Sequence, residues 1–161
     1  MKRGSQTKKV DVHFSEALVD NTSPSGAYGD SSPVSIDTQG FGFCVIYCRI
    51  GTTTNSLSTL RVMEGAAAAS GADDSTYSEV SGTAHSGTTG NGRLPQADDD
   101  GETFKIEIDC RGGERYLAVD AVVANESTGA FLQIWAELFE GDEEPFDATA
   151  MGCASLLSVI A

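Results

Sequence analysis

Two histidines, four cysteines and two short acidic runs are the side chains of this 161-residue sequence best suited to chemistry. Serine-type hydrolysis needs a nucleophile, a base beside it and an acid to orient the base. His13 stands in the alternating stretch Val10-Asp-Val-His-Phe14, and His85 stands among Gly, Ser and Thr. No serine occupies a Gly-x-Ser-x-Gly elbow, and no phosphate-cradling Gly-rich loop opens a helix after a strand. A triad assembled from distant positions is not favoured by any pattern. The thiols Cys44, Cys48, Cys110 and Cys153 lie in or beside apolar segments, with no Cys-x-x-Cys pair and no Cys/His cluster. Buried free thiols are expected, and a zinc site is not. Asp98-Asp99-Asp100-Gly-Glu102 offers the oxygen ligands that calcium takes, but lacks the alternate spacing of an EF-hand loop. A solvated acidic turn is the expectation there, as for Gly141-Asp-Glu-Glu144. No catalytic residue, cofactor or metal is therefore assigned.

Charge narrows the partners. The formal net charge is −14, yet Lys2, Arg3, Lys8 and Lys9 fall within the first nine residues without an acid among them. No Lys or Arg follows Arg115, whereas eight acids do. An acidic body repels phosphates, which argues against nucleic acid. A basic arm at residues 1–9 could contact another acidic surface, including a second copy of the chain, or could simply be solvated. No run of about 18 apolar residues exists to span a membrane. The positive N-terminus is not followed by the apolar stretch of a signal peptide, so Sec-type export is not expected.

The elements that must carry any site are strands. Gly is abundant at 18 residues and strong helix formers are scarce, which favours short strands and many turns. Val10 to Phe14 alternates, with Val10, Val12 and Phe14 on one face. Val34 to Asp37 is short, and Phe41 to Ile50 is apolar on both faces, as a central strand covered on both sides would be. Ser58 to Glu64 and Ser75 to Val80 follow, then a long surface loop at 81–102. In Thr103 to Cys110, Phe104, Ile106, Ile108 and Cys110 face a core, while Lys105, Glu107 and Asp109 face water. Arg111-Gly-Gly-Glu114 reads as a hairpin-type connection to Tyr116–Ala124, whose Leu117, Val119, Ala121 and Val123 share a face. The pattern predicts an all-β fold, an antiparallel β-sandwich or jelly roll over residues 10–139 with short terminal arms.

The last strand, Phe131 to Phe139, is apolar on both faces. Leu132, Ile134, Ala136 and Leu138 form one; Phe131, Trp135 and Phe139, with Gln133 and Glu137, form the other. If one face meets the core, the other needs a cover, from the chain's own tail, from a neighbouring subunit, or from an ordinary two-sided core. Residues 140–161 are acidic, then apolar through Leu156-Leu-Ser-Val-Ile160, with Asp147 able to cap a short helix. Such a terminus is expected to dock on its own body or on a neighbour.

The order of segments resembles a known family. Ile36-Asp-Thr-Gln-Gly-Phe41 runs into the apolar strand ending Arg49-Ile-Gly51, followed by Leu60-Arg-Val-Met-Glu64 and Asp73-Asp-Ser-Thr-Tyr-Ser-Glu-Val80. Phe104-Lys-Ile-Glu-Ile108, Glu114-Arg-Tyr-Leu-Ala-Val119 and a terminal apolar strand complete it. This succession looks like the small β-sandwich or jelly-roll decoration (cement) proteins of tailed-bacteriophage capsids, over about residues 10–139. The resemblance implies a virion protein on the outer capsid surface, assembled in the host cytoplasm. It implies a homotrimer at three-fold or quasi-three-fold positions, bridging major capsid protein subunits and adding interface rather than chemistry. Lys2, Arg3, Lys8, Lys9, Phe131, Trp135 and Phe139 are the candidate contact residues. A carbohydrate-binding sandwich module, or a tail or fibre component, is the alternative, and the orientation of Tyr77, Trp135 and Phe131 separates the two.

Overall fold

The computed structural model describes residues 7–18, 26–52, 56–72, 74–124 and 130–139. Eight strands carry them: β1 (Lys8–Leu18), β2 (Ile36–Asp37), β3 (Phe43–Ile50), β4 (Leu57–Gly65), β5 (Ser78–Glu79), β6 (Thr103–Asp109), β7 (Tyr116–Val123) and β8 (Ala130–Phe139). There is no helix among the described residues. Two four-stranded antiparallel sheets form, ordered β1-β8-β3-β6 and β2-β7-β4-β5. The first half of the chain pairs with the second half in reverse, β1 with β8, β2 with β7, β3 with β6 and β4 with β5. The all-β sandwich expected from alternation is what the chain forms.

Alternation decides which side of each strand is dry. Cys44, Ile46, Cys48 and Ile50 of β3 meet Leu132, Ile134, Ala136 and Leu138 of β8 and Ile106 and Ile108 of β6 on the inner face of the first sheet. Leu57, Leu60 and Val62 of β4 and Leu117, Val119, Ala121 and Val123 of β7 oppose them from the second. Ile46, Ile50, Leu132, Ile134 and Leu138 are essentially inaccessible to solvent. Removing apolar area from water at about 25 cal/mol per Å² makes this shared core the main stabilising contribution.

Four expectations change in the folded chain. Strand β1 contains Lys8 and Lys9 and shifts register between Asp11 and His13, so Val12 and His13 are both buried instead of alternating. The connection Arg111–Glu114 is not a hairpin: it carries the chain from β6 in one sheet to β7 in the other. Strand β3 is central, between β8 and β6, but its outer side chains Phe43, Val45 and Tyr47 are only half-buried, so the two-sided cover expected for it is incomplete. Of the extended segment expected at 75–80, only Ser78–Glu79 pairs in a sheet.

The rest of that segment is a turn organised by Asp74. Its carboxylate accepts from the Ser70 amide (3.1 Å) and hydroxyl (3.1 Å), and from the Thr76 amide (3.0 Å) and hydroxyl (2.6 Å). The turn delivers Tyr77 into a small second cluster with Tyr28, Met63 and Ala118. The Tyr77 hydroxyl donates to the Ala67 carbonyl (2.9 Å), and the ring lies where a Cβ on Gly65 would clash at 2.5 Å. Those donors, the Thr76 hydroxyl foremost, hold the Asp74 carboxyl at about 2, below its ordinary 3.8. A depressed carboxyl contributes stability above its ordinary value and loses it as pH falls through the folded one. Acidification from about 4 to about 2 will therefore loosen this turn in the wild type. The protection of the Thr76 and Tyr77 amides, taken relative to intrinsic exchange at each pH, will fall with acid, and Asp74→Asn will abolish that change; equal acid responses in both proteins would contradict it.

Candidate functional site

The outer face of the first sheet gathers the aromatic side chains that the core does not use. Register places Phe43 of β3 opposite Phe139 of β8, and Tyr47 opposite Trp135, two positions further along the same face. The Tyr47 and Trp135 rings stack with centroids 4.9 Å apart and planes 13° apart. Both are half-buried, as are Phe43 and Phe139. Phe131, near the other end of β8, is 42% exposed, the one exposed large hydrophobic side chain among the described residues. It packs tightly at its base, since a Cβ on Gly51 would lie 2.7 Å from the Phe131 Cβ.

Charged and polar groups border this row. In one cross-strand line Asp11, Trp135, Tyr47 and Lys105 are neighbours; in the next, Lys9, Glu137, Val45 and Glu107 are. Lys9 bonds Asp11 (2.7 Å) and Lys105 bonds Glu107 (2.7 Å), with all four side chains largely in solvent. Arg111 lies 4.5 Å from the centre of the Phe43 ring and pairs with Asp109 (2.9 Å). The Asp109 carboxyl sits at about 2, held down first by its hydrogen bonds from the Arg111 side chain and amide. An apolar centre within a polar margin is the anatomy of a protein interface. These ion pairs are exposed, so at an interface they would orient a partner more than add affinity.

Of the expected contact residues, Phe131, Trp135 and Phe139 share this face, and Lys9 stands at its β1 margin. Lys8 is the first residue of β1, opposite Leu138. Lys2 and Arg3 lie outside the described residues, as do Cys153 and the tail 140–161. Phe43 and Tyr47 complete the row and were not singled out from sequence. The signal was present, because Phe41–Ile50 is apolar on both faces just as Phe131–Phe139 is, and two such strands make natural neighbours. The triplet Lys105, Glu107 and Asp109 faces water as expected, and it borders the aromatic row on the same face.

The groups weighed for chemistry have structural occupations. Asp99 is 7% exposed and takes both Arg93 guanidinium nitrogens and the Gln96 amide (2.6 Å), so its carboxylate is committed to closing that loop. The Arg93 hydrogen bonds hold its carboxyl below the usual range. Among the described residues no group of three or more His, Cys, Asp or Glu is placed to hold a metal ion. The His85 Nδ1 lies 3.1 Å from the Thr83 carbonyl, and its ring meets Phe104 edge-on. Cys44, Cys48 and Cys110 are free thiols; burial pushes Cys48 up to about 12 and Cys110 up to about 11, away from thiolate chemistry. Tyr77 is buried, which removes one of the three aromatic residues a glycan platform would have used.

The sequence matches no protein-family model, and no curated protein matches it.

Proposed function

We propose that this chain is a structural virion protein that decorates and stabilises a tailed-phage capsid, acts without catalysis, and uses the outer face of the first sheet to hold a major capsid protein subunit. The observation that carries the reading is the Phe43–Phe139 and Tyr47–Trp135 row, with Phe131 beyond it, on a sheet face that no other described strand covers. Large, rigid aromatic rings in a half-desolvated centre are the residues on which interfaces concentrate their energy. The net charge of −14 favours a protein partner over nucleic acid. The segment resemblance supports three copies around three-fold or quasi-three-fold positions on the outside of the shell.

The reversed pairing of the chain's two halves supports the jelly-roll form of the sandwich. That architecture serves both capsid and lectin domains, so fold alone does not choose between them. The Tyr47–Trp135 stack does favour one: each ring covers a face of the other, leaving less open π surface for a sugar ring.

Co-sedimentation with empty capsid shells of the phage that carries its gene tests this reading. The expected result is saturable binding to the outer surface, with the shells surviving higher temperatures when coated. Binding to a glycan panel with no binding to shells would overturn it in favour of the carbohydrate module.

A further inference from the structure

Among the described residues, strand β6 is the edge of the first sheet and pairs only with β3. The Ile50 amide donates to the Glu102 carbonyl (2.9 Å) and the Cys110 amide to the Gly42 carbonyl (2.9 Å). With the two-residue repeat of a strand, the even-numbered β6 residues therefore bond β3, and the backbone groups of Thr103, Lys105, Glu107 and Asp109 point off the free edge. Beside that edge runs a groove of about 420 Å³, with Lys105–Asp109 on one side and Val80–His85 on the other. The far wall belongs to the margin of the second sheet, since the Val80 amide donates to the Val62 carbonyl (2.9 Å) and the His85 amide to the Leu60 carbonyl (2.9 Å).

We infer that β6 is a self-association edge, at which two copies pair their β6 strands antiparallel about a two-fold axis at Ile106. Charge selects this partner and this register. Centring on Ile106 sets each Lys105 opposite the other copy's Glu107, and Thr103 opposite Asp109, with no like charges facing. Centring on Lys105 would oppose two lysines, centring on Glu107 two glutamates, and centring on Ile108 would set Glu107 against Asp109. Charged edge strands usually discourage pairing, but here the alternation of sign makes the edge complementary to itself. Within one copy Lys105 and Glu107 already touch at 2.7 Å, so both are poised to share their charges across the axis. The contact shares Lys105 and Glu107 with the margin of the aromatic face but leaves the Phe43, Tyr47, Trp135 and Phe139 rings free to meet a shell, and it can join one trimer to the next.

Hydrogen exchange of the wild-type chain at increasing concentration tests the inference, with native mass spectrometry of the same samples at about 0.15 M salt, where body repulsion is screened beyond about 8 Å. The Lys105 and Glu107 amides will become protected as concentration rises, together with assemblies of even copy number. Lys105→Glu will weaken the contact by about tenfold or more at unchanged melting temperature, and Lys105→Glu with Glu107→Lys will restore it. Glu107→Pro, whose lost N–H faces the edge and not β3, will abolish it while keeping the fold. Amides at 105 and 107 that exchange freely at every concentration would overturn the inference, as would a charge swap that fails to restore assembly in a folded protein. Trp135→Ala leaves this contact intact, so its failure is separable from failure of capsid binding.

Discussion

Trp135→Ala will weaken binding to the capsid shell by about 30-fold or more, while the protein still folds and melts in one cooperative transition. Truncating a central interface tryptophan costs about 2 kcal/mol or more of binding, and 1.4 kcal/mol is tenfold. The same change weakens the fold less than it weakens assembly, although the indole gives up its own buried area as well as the stack. Trp135 faces away from the sandwich core, and its principal ring contact is the stack on Tyr47. An aromatic pair contributes about 0.5–1.5 kcal/mol beyond burial. Co-sedimentation with shells, read beside a thermal melt, separates the two effects. Equal losses in both would return Trp135 to the role of an ordinary core residue.

Ile134→Ala, one position earlier on the same strand, will do the reverse. Ile134 points inward, is 0% exposed, and lies opposite Cys48 of β3 and His13 of β1 in the middle of the first sheet. Removing its outer methyl and methylene groups leaves a cavity that paired strands on both sides cannot collapse into. The expected cost is about 2–5 kcal/mol, against a typical total of about 5–15 kcal/mol for a domain. For a chain of this size that is a fall in melting temperature of roughly 10 °C. Whatever fraction remains folded will bind shells with nearly wild-type affinity, since the outer row is untouched. Denaturant unfolding and a binding isotherm corrected for folded fraction check both halves. A fully stable Ile134→Ala protein would mean that Ile134 does not lie in the core and that the other face of β8 does.

How much of this was legible in the sequence follows from what period-two alternation can encode. Thr103–Cys110 and Tyr116–Ala124 each place one kind of side chain on one face, and the dry faces read from them are those the core uses. Alternation says nothing about which strand lies beside which. The link Arg111–Glu114 looks like a hairpin because it is short and Gly-rich, yet it crosses between sheets. A bulge is equally silent: the shift at Asp11/His13 buries His13, a residue that simple counting assigned to the wet face. The candidate surface was half visible for the same reason. Phe131, Trp135 and Phe139 stood out as the surplus apolar face of β8. Tyr47 and Phe43 join them only through the β3–β8 register, which is a tertiary property. The turn at Asp74 had a sequence signature whose purpose lay elsewhere. Its Ser and Thr partners exist to seat Tyr77 beneath the loop, and burial there takes Tyr77 out of consideration as a ligand platform.

An electron-microscopy map of the coated phage shell would show the contact itself. The prediction is an eight-stranded sandwich on the outside of the particle, the outer face of its β1-β8-β3-β6 sheet laid on a major capsid protein subunit, with Trp135 and Tyr47 inside the contact. A map in which that face is turned to solvent, or in which no copy of the chain is on the particle, would contradict it.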